Sequence, residues 1–286
     1  MDSFYVYIII AIIAAVIIFG LFAHDQNKRI VKTRYELQSK NVKNAVRIVH
    51  ISDMHSTSFK NIIKKIDDEK PNIIAITGDL INDKGKNQDK MLEYVNEMSK
   101  IALVFYVTGN HERRLDNFDE IMKKISESGA HVLLDRCETV NVNDSNITIL
   151  GLDEKQGTFE AYKQMAKGTF KYRDSSIYFD MINDFDGFKL VLSHFPENFA
   201  LINDLSYNKY DFDLMLAGHA HGGQFRLPFI GPVLSPGQGW FPKYACGKHG
   251  DRPCLIVSRG MGNSEFPLRL FNHPEIIVID IIPSDK

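Results

Sequence analysis

The sequence predicts an α/β domain behind a single N-terminal membrane-spanning helix, and three observations predict it. An unbroken uncharged run, Phe4 to Ala23, opens the chain. From Val46 onward, short apolar β-branched runs alternate with amphipathic helical stretches, the pattern of a sheet-containing α/β domain rather than an all-β one. Five of those runs end in Asp, Asn or His, three of them after a glycine.

The opening run has about 20 residues, and a helix rising about 1.5 Å per residue over that length crosses a hydrocarbon core of about 30 Å. A cleaved signal peptide needs a basic start, a shorter apolar core and a small-residue cleavage site. This chain starts Met1-Asp2-Ser3 and offers only Leu21-Phe22-Ala23, so residues 1–23 read as an uncleaved anchor. Residues 24–45 are polar and charged and read as a juxtamembrane linker. Lys28, Arg29, Lys32 and Arg34 follow the anchor and only Asp2 is charged before it, so the positive-inside rule favours a cytoplasmic domain. Those basic residues also suit anionic headgroups.

Residues 46–286 read as the catalytic-size domain. Predicted strands are Arg47–Ser52, Ile73–Thr77, Leu103–Thr108, Asn146–Leu152, Lys189–Ser193, Leu214–Ala217, Cys254–Ser258 and Ile276–Ile282. Predicted helices are Asn61–Glu69, Gln88–Lys100 and Asp116–Ser128, the last with Phe118, Ile121, Met122 and Ile125 on one face. Glu154–Gly187 is polar and weakly patterned, and reads as an insertion, a lid or a surface excursion.

Composition bounds the chemistry. The 286 residues are 44% hydrophobic and 24% charged, ordinary for a folded protein. A net charge of −2 and a pI near 6.6 give no basic footprint for a nucleic-acid partner. Cys137, Cys246 and Cys254 form no C-x-x-C pair, which disfavours a zinc ribbon or a thioredoxin motif. Three reduced thiols are expected, with a Cys246–Cys254 bridge as the alternative in an oxidising compartment.

The strand ends carry Asp53-Met54-His55, Gly78-Asp79, Gly109-Asn110-His111-Glu112, His194 and Gly218-His219-Ala220-His221. Ligands bind beyond the carboxyl ends of strands in α/β sheets. In extended chain, residues i and i+2 share a side, so Asp53 with His55, and His219 with His221, are expected to face one site. Glycines 78, 109 and 218 are expected to turn the backbone just before each ligand. Imidazole, carboxylate and amide donors without thiolate suit Mn, Fe or Zn. Two divalent cations against two carboxylates, Asp53 and Asp79, leave a positive surplus that favours an anionic, phosphorylated substrate.

These blocks, in this order, resemble the calcineurin-like metallophosphoesterase superfamily from about Val46 to Ile282. His219-Ala220-His221-Gly222-Gly223-Gln224, with Gly260-Met261-Gly262 and Pro267-Leu268-Arg269, is similar to a bacterial subgroup. That subgroup holds membrane-associated phosphodiesterases and UDP-2,3-diacylglucosamine diphosphatase-like enzymes. The resemblance implies a four-layer fold, a central β-sandwich of mixed sheets flanked by helices. It implies two divalent metals, manganese first, with iron or zinc as alternatives. Asp53, His55 and His221 would hold one ion, Asn110, His194 and His219 the other, and Asp79 would bridge them. His111 would contact the phosphoryl oxygen or protonate the leaving group, and Glu112 would orient a neighbouring histidine. The implied reaction is hydrolysis of a phosphodiester, pyrophosphate or phosphomonoester by metal-bound hydroxide. The rival is a non-catalytic scaffold on the same fold, which would have lost ligands.

Several residues remain candidates for the substrate. Gln224 is expected to line the pocket or to fix the loop after His221. Arg113, Arg114, Arg226 and Arg269 can each be drawn to a phosphate, although a surface ion pair is the commoner fate of an arginine. The loop Phe225–Tyr244 is a candidate apolar wall or simple loop packing, and Trp240 and Phe241 are candidates for lipid contact. The anchor suits a lipid-linked or cell-envelope substrate, with a soluble one as the alternative, since anchors also merely localise enzymes.

Overall fold

The computed structural model of the chain describes every residue except 1–2, 154, 168, 264–265 and 285–286. Asp2, the charge before the apolar run, therefore lies outside the described residues. So do Glu154 at the head of the irregular stretch and the last two residues of the domain.

Helix α1 (Ser3–Lys28) begins the chain. Its side chains from Phe4 to Leu21 are exposed on every face, and the segment is long and apolar enough to cross a bilayer. The helix continues beyond Ala23, and only two residues separate it from strand β1 (Val31–Ser39). The expected linker 24–45 is thus mostly ordered structure. β1 alternates half-buried Val31, Thr33 and Tyr35 with exposed Lys32, Arg34 and Glu36, the period of an edge strand with one wet face. Lys32 and Arg34 on that face both pair with the buried carboxylate of Glu69.

Strand β2 (Val46–Ile51) is followed by helix α2 (Ile62–Asp67), strand β3 (Ile73–Thr77), helix α3 (Gln88–Ser99), strand β4 (Leu103–Val107), helix α4 (Phe118–Glu127) and strand β5 (Ala130–Val132). β3 is buried along its whole length and β2 and β4 nearly so, which explains their continuous apolar runs. Ile121, Met122 and Ile125 of α4 are buried as their spacing requires.

Strands β6 (Arg136–Val142) and β7 (Ser145–Gly151) form a hairpin. The stretch read as an insertion or excursion holds helices α5 (Phe159–Ala166) and α6 (Ser176–Asn183). Phe179 and Ile182 of α6 are fully buried, so this part belongs to the core. Strands β8 (Phe188–Leu192) and β9 (Leu214–Ala217) follow. Two small ribbons come next, β10 (Arg226–Leu227) with β11 (Gly231–Pro232), and β12 (Leu234–Ser235) with β13 (Gly239–Trp240). Strands β14 (Gly247–His249), β15 (Cys254–Val257) and β16 (Glu275–Pro283) end the chain. All three cysteines are free thiols.

The strands make two six-stranded mixed sheets, ordered β1-β16-β2-β3-β4-β5 and β14-β15-β9-β8-β7-β6. Ile48, Ile73, Phe105 and Ile279 of the first sheet interlock with Ile149, Leu190, Leu214 and Ile256 of the second. A second core joins the outer face of the first sheet to α2, α3 and α4. A third covers the other sheet with Phe179, Ile182, Phe199 and Tyr207. The result is the expected four-layer sandwich, helix, sheet, sheet, helix. The first and last strands pair in parallel over nine positions, Val31 with Glu275 through Ser39 with Pro283, which seats the end of α1 against the domain.

Candidate metal centre

The carboxyl ends of β2, β3 and β4 in one sheet meet those of β8 and β9 in the other. The loops after them are laced by backbone hydrogen bonds. Asp53 N–H donates to Gly78 O at 3.0 Å, His55 N–H to Asp79 O at 2.8 Å, and Gly218 N–H to His194 O at 3.0 Å. Gly109 and Gly218 act here through close approach. A Cβ on Gly109 would lie 2.1 Å from Asp79 Oδ1, and one on Gly218 2.4 Å from Asp53 Oδ2.

Asp53, His55, Asp79, His219 and His221 all have positive φ, between 45° and 65°. Non-glycine residues seldom hold this left-handed conformation, and where they do the surroundings enforce it. The expected i, i+2 geometry of extended chain is therefore replaced by kinked backbone. The side chains still converge, but the tight loops bring them together rather than the pleat of a strand.

Three donor groups form one buried cluster: Asp53 with His55 and His221, His55 with Asp79 and His111, and Asp79 with His194 and His219. Asp79 Oδ2 lies 3.3 Å from His194 Nε2 and 3.6 Å from His55 Nε2. Asp53 Oδ1 lies 3.4 Å from His221 Nε2. Asn110 Oδ1 lies 3.2 Å from His194 Nε2. The Nε2 atoms of His55 and His221 face each other at 3.0 Å, and His219 Nε2 is buried with no hydrogen-bond partner among the described residues. Imidazole nitrogens and carboxylate oxygens packed this closely, with a buried imidazole nitrogen that has no partner among the described residues, suit cations seated among them.

Charge state agrees for three of the imidazoles. Burial pushes His55, His219 and His221 well below the ordinary imidazole range, leaving them neutral and able to donate a lone pair. Burial alone would raise Asp79, but His194 and the neighbouring imidazoles hold it well below the usual carboxylate range. Burial likewise opposes charge on His194, and Asp79 outweighs it and drives His194 upward. His194 Nδ1 lies 2.7 Å from Thr77 O, so Nδ1 carries a proton and Nε2 faces the cluster. A cavity of about 340 Å³ opens over these groups. His111, Arg114 and Gln224 line it on one side, and Leu234, Pro236 and Phe266 on another.

His111 is half-buried at its edge. Its N–H donates to Asp79 Oδ1 at 2.8 Å. The Asp83 N–H donates to His111 Nδ1 at 3.2 Å, which leaves the ring proton on Nε2, 3.9 Å from Asp79 Oδ2.

Glu112 departs from expectation. It is fully buried, and the hydrogen bonds of its carboxylate go to main chain. Its carboxylate accepts the N–H groups of Asp79, Ile81 and Gly109, each at 2.9 Å, so it fastens two ligand loops together. Burial, then the Asp79 charge, pushes its pKa up to about 7. Gln224 lines the cavity while its Nε2 donates to Phe266 O and Leu268 O, so it does both things expected of it. Arg113 is taken up by Asp153 and the Phe118 ring. Arg226 donates to Gly222 O and Cys246 Sγ. Arg269 is fully buried and donates to the carbonyls of Arg259 and Gly262. Of the four arginines, Arg114 is the one on the cavity wall.

Two contributors were missed by sequence reasoning. Asp83 orients His111, and Asn272 donates through Nδ2 to His221 O at 2.7 Å and Gln224 O at 3.1 Å. Neither sits in a recognisable motif. The one available signal is the nearness of Asp83 to the Gly78-Asp79 block.

Residues 46–223 match a protein family described as calcineurin-like phosphoesterase. The chain is similar to the uncharacterized metallophosphoesterase YkuE of Bacillus subtilis, 26% identical over 244 residues, covering 82% of this chain and 78% of that one. An uncharacterized metallophosphoesterase of Aquifex aeolicus is 26% identical over 280 residues, covering 93% of this chain and 97% of its own. The phosphodiesterase YaeI of Escherichia coli is 24% identical over 247 residues, covering 82% of each.

Proposed function

The chain belongs to the calcineurin-like phosphoesterase family, and from that premise we propose that it is a membrane-anchored, dinuclear metal-dependent phosphoesterase hydrolysing a phosphodiester, pyrophosphate or phosphomonoester. The observation that carries this is the single buried cluster in which Asp79 is shared between the groups on either side of it. Asp53, His55 and His221 would hold one divalent ion. Asn110, His194 and His219 would hold the second, with Asp79 between them. The mixed imidazole, carboxylate and amide donors suit manganese, with iron or zinc as alternatives. When bound, such a pair supplies Lewis-acid charge for the phosphoryl group and an activated water.

The chain's own residues do the rest. His111 holds a proton at Nε2 on the cavity edge, where it can hydrogen-bond a phosphoryl oxygen or pass the proton to the leaving oxygen. Arg114 on the cavity wall offers a cation to the substrate phosphate. The apolar wall of Leu234, Pro236 and Phe266 suits a substrate with a nonpolar portion. A lipid-linked or cell-envelope phosphodiester or pyrophosphate fits both this wall and the anchor, as the resemblance to the UDP-2,3-diacylglucosamine diphosphatase-like subgroup suggests. The basic residues after α1 favour a cytoplasmic catalytic domain, which a topology reporter at the C-terminus tests.

Purified full-length protein loaded with Mn²⁺ should hydrolyse bis-p-nitrophenyl phosphate. His111→Ala should lower kcat by about a hundredfold or more, the usual worth of a general acid. Undiminished turnover in that variant would remove His111 from the chemistry, and no turnover in the wild type with any of the three metals would remove the enzyme assignment.

A further inference from the structure

The ribbons after the metal loop carry apolar side chains that none of the described residues covers. Phe229, Trp240 and Phe241 have relative exposures of 109%, 71% and 67%, and Leu227, Ile230 and Phe271 are exposed beside them. A contiguous exposed apolar surface rimmed by polar residues marks an interaction site. Three of the six, Phe229, Phe241 and Phe271, also hold left-handed backbone, with φ of 68°, 53° and 50°. Bulky residues seldom take this conformation, so the fold turns these rings outward against local preference.

Continuity with α1 identifies what they meet. The Phe271 ring lies 5.4 Å from the ring of Phe22, in the last apolar turns of the helix before His24, Asp25 and Lys28. Phe271 in turn shares a depression with Leu227, Phe229 and Ile230. Phe22 stands where a spanning helix leaves hydrocarbon for headgroups, the level at which aromatic residues gather. Through Phe271 the patch thus meets α1 beside the end of its apolar run. It also borders the catalytic cavity. Leu234 of the cavity wall is the register partner of Trp240, and Phe266 of the wall packs against Phe225 at 5.5 Å.

We propose that Leu227, Phe229, Ile230, Trp240, Phe241 and Phe271 form a second membrane contact, seated in the headgroup region of the bilayer that α1 enters. This contact would hold the mouth of the metal cavity against the membrane surface. Its premise is the reading of α1 as an anchor. With both contacts made, the domain is docked rather than tethered, and phosphate esters carried in the headgroup layer meet the cavity by lateral diffusion.

Trp240 is the chain's single tryptophan and reports on the patch directly. Full-length protein is reconstituted into phosphatidylcholine–phosphatidylglycerol vesicles, floated through alkaline carbonate, and its emission read with lipids bearing a quencher near the headgroup. The expected result is flotation, a shift of Trp240 emission to shorter wavelength, and its loss to the lipid quencher. A Phe229→Ser, Phe241→Ser double variant should float equally well through α1 while Trp240 becomes open to acrylamide from the water. Flotation with Trp240 untouched by the lipid quencher overturns the docking and leaves the anchor standing. If Trp240 is then shielded from acrylamide too, a second copy or another protein covers the patch. Protein that does not float overturns the anchor, and the docking with it.

Discussion

Gln26, near the end of α1, accepts a hydrogen bond through Oε1 from the Asn272 N–H at 3.1 Å, and both residues are buried. The Asn272 side chain then holds the carbonyls of His221 and Gln224. The last turn of α1 is therefore two hydrogen bonds from His221 of the buried donor cluster. Asn272→Ala takes one of two donors from the His221 carbonyl, which also accepts the Gln224 N–H at 2.9 Å, and removes the side-chain donor from the Gln224 carbonyl; a buried carbonyl left short costs about 1–3 kcal/mol. Its expected signature is a lower denaturation midpoint and weaker metal binding, read by urea titration in detergent and by competition with a chelator. Gln26→Ala should show the same pattern at smaller size. An unchanged metal affinity in Asn272→Ala would mean the loop holds itself.

The three backbone N–H groups gathered by Glu112 make it the joint between the Asp79 and Asn110 loops. Glu112→Gln puts an amide NH₂ where one of those donors expects an oxygen. A buried donor facing a donor costs about 1–3 kcal/mol, so the urea midpoint should fall although the substitution is nearly isosteric. Equal midpoints would show that the loops are held by their glycines and metal ligands alone.

Acid should loosen the seam between β1 and α2. Burial alone would raise the Glu69 pKa, but Lys32 and Arg34 outweigh it and hold its carboxyl below the ordinary glutamate value of 4.5. With the folded pKa depressed, the stabilisation is fully present above 4.5 and is lost as pH falls through the folded value. Wild type should exceed Glu69→Gln by about 1 kcal/mol near neutrality, the scale of a partly exposed ion pair. The two should converge in acid. A gap that persists unchanged in acid would assign the difference to packing rather than charge.

Much of this was legible in the sequence. The runs Ile73–Thr77 and Leu214–Ala217 match β3 and β9 residue for residue, because strands buried on both faces write themselves as continuous β-branched or leucine-rich segments. β1 was hidden because half its residues are Lys32, Arg34, Glu36 and Gln38, which read as a polar linker until the alternation with Val31, Thr33, Tyr35 and Leu37 is weighed. α6 was hidden for a different reason: only Phe179 and Ile182 anchor it in a polar stretch. At the site, the donor types that the structure brings into one cluster were readable from side-chain chemistry. The left-handed backbone of Asp53, His55 and Asp79 was not, since it is imposed by partners far along the chain. The partners of Glu112, and Asn272 itself, escaped because what both residues bind is main chain, which no residue type announces.

The central claim is that two cations share Asp79, and a metal count per chain tests it most directly. Full-length protein saturated with Mn²⁺ and freed of excess ion should carry two ions by elemental analysis. His219→Ala and His221→Ala should each carry about one, and Asp79→Ala should carry close to none, as expected when one carboxylate serves both positions. Two ions retained in Asp79→Ala, or fewer than one in the wild type, would contradict the shared centre.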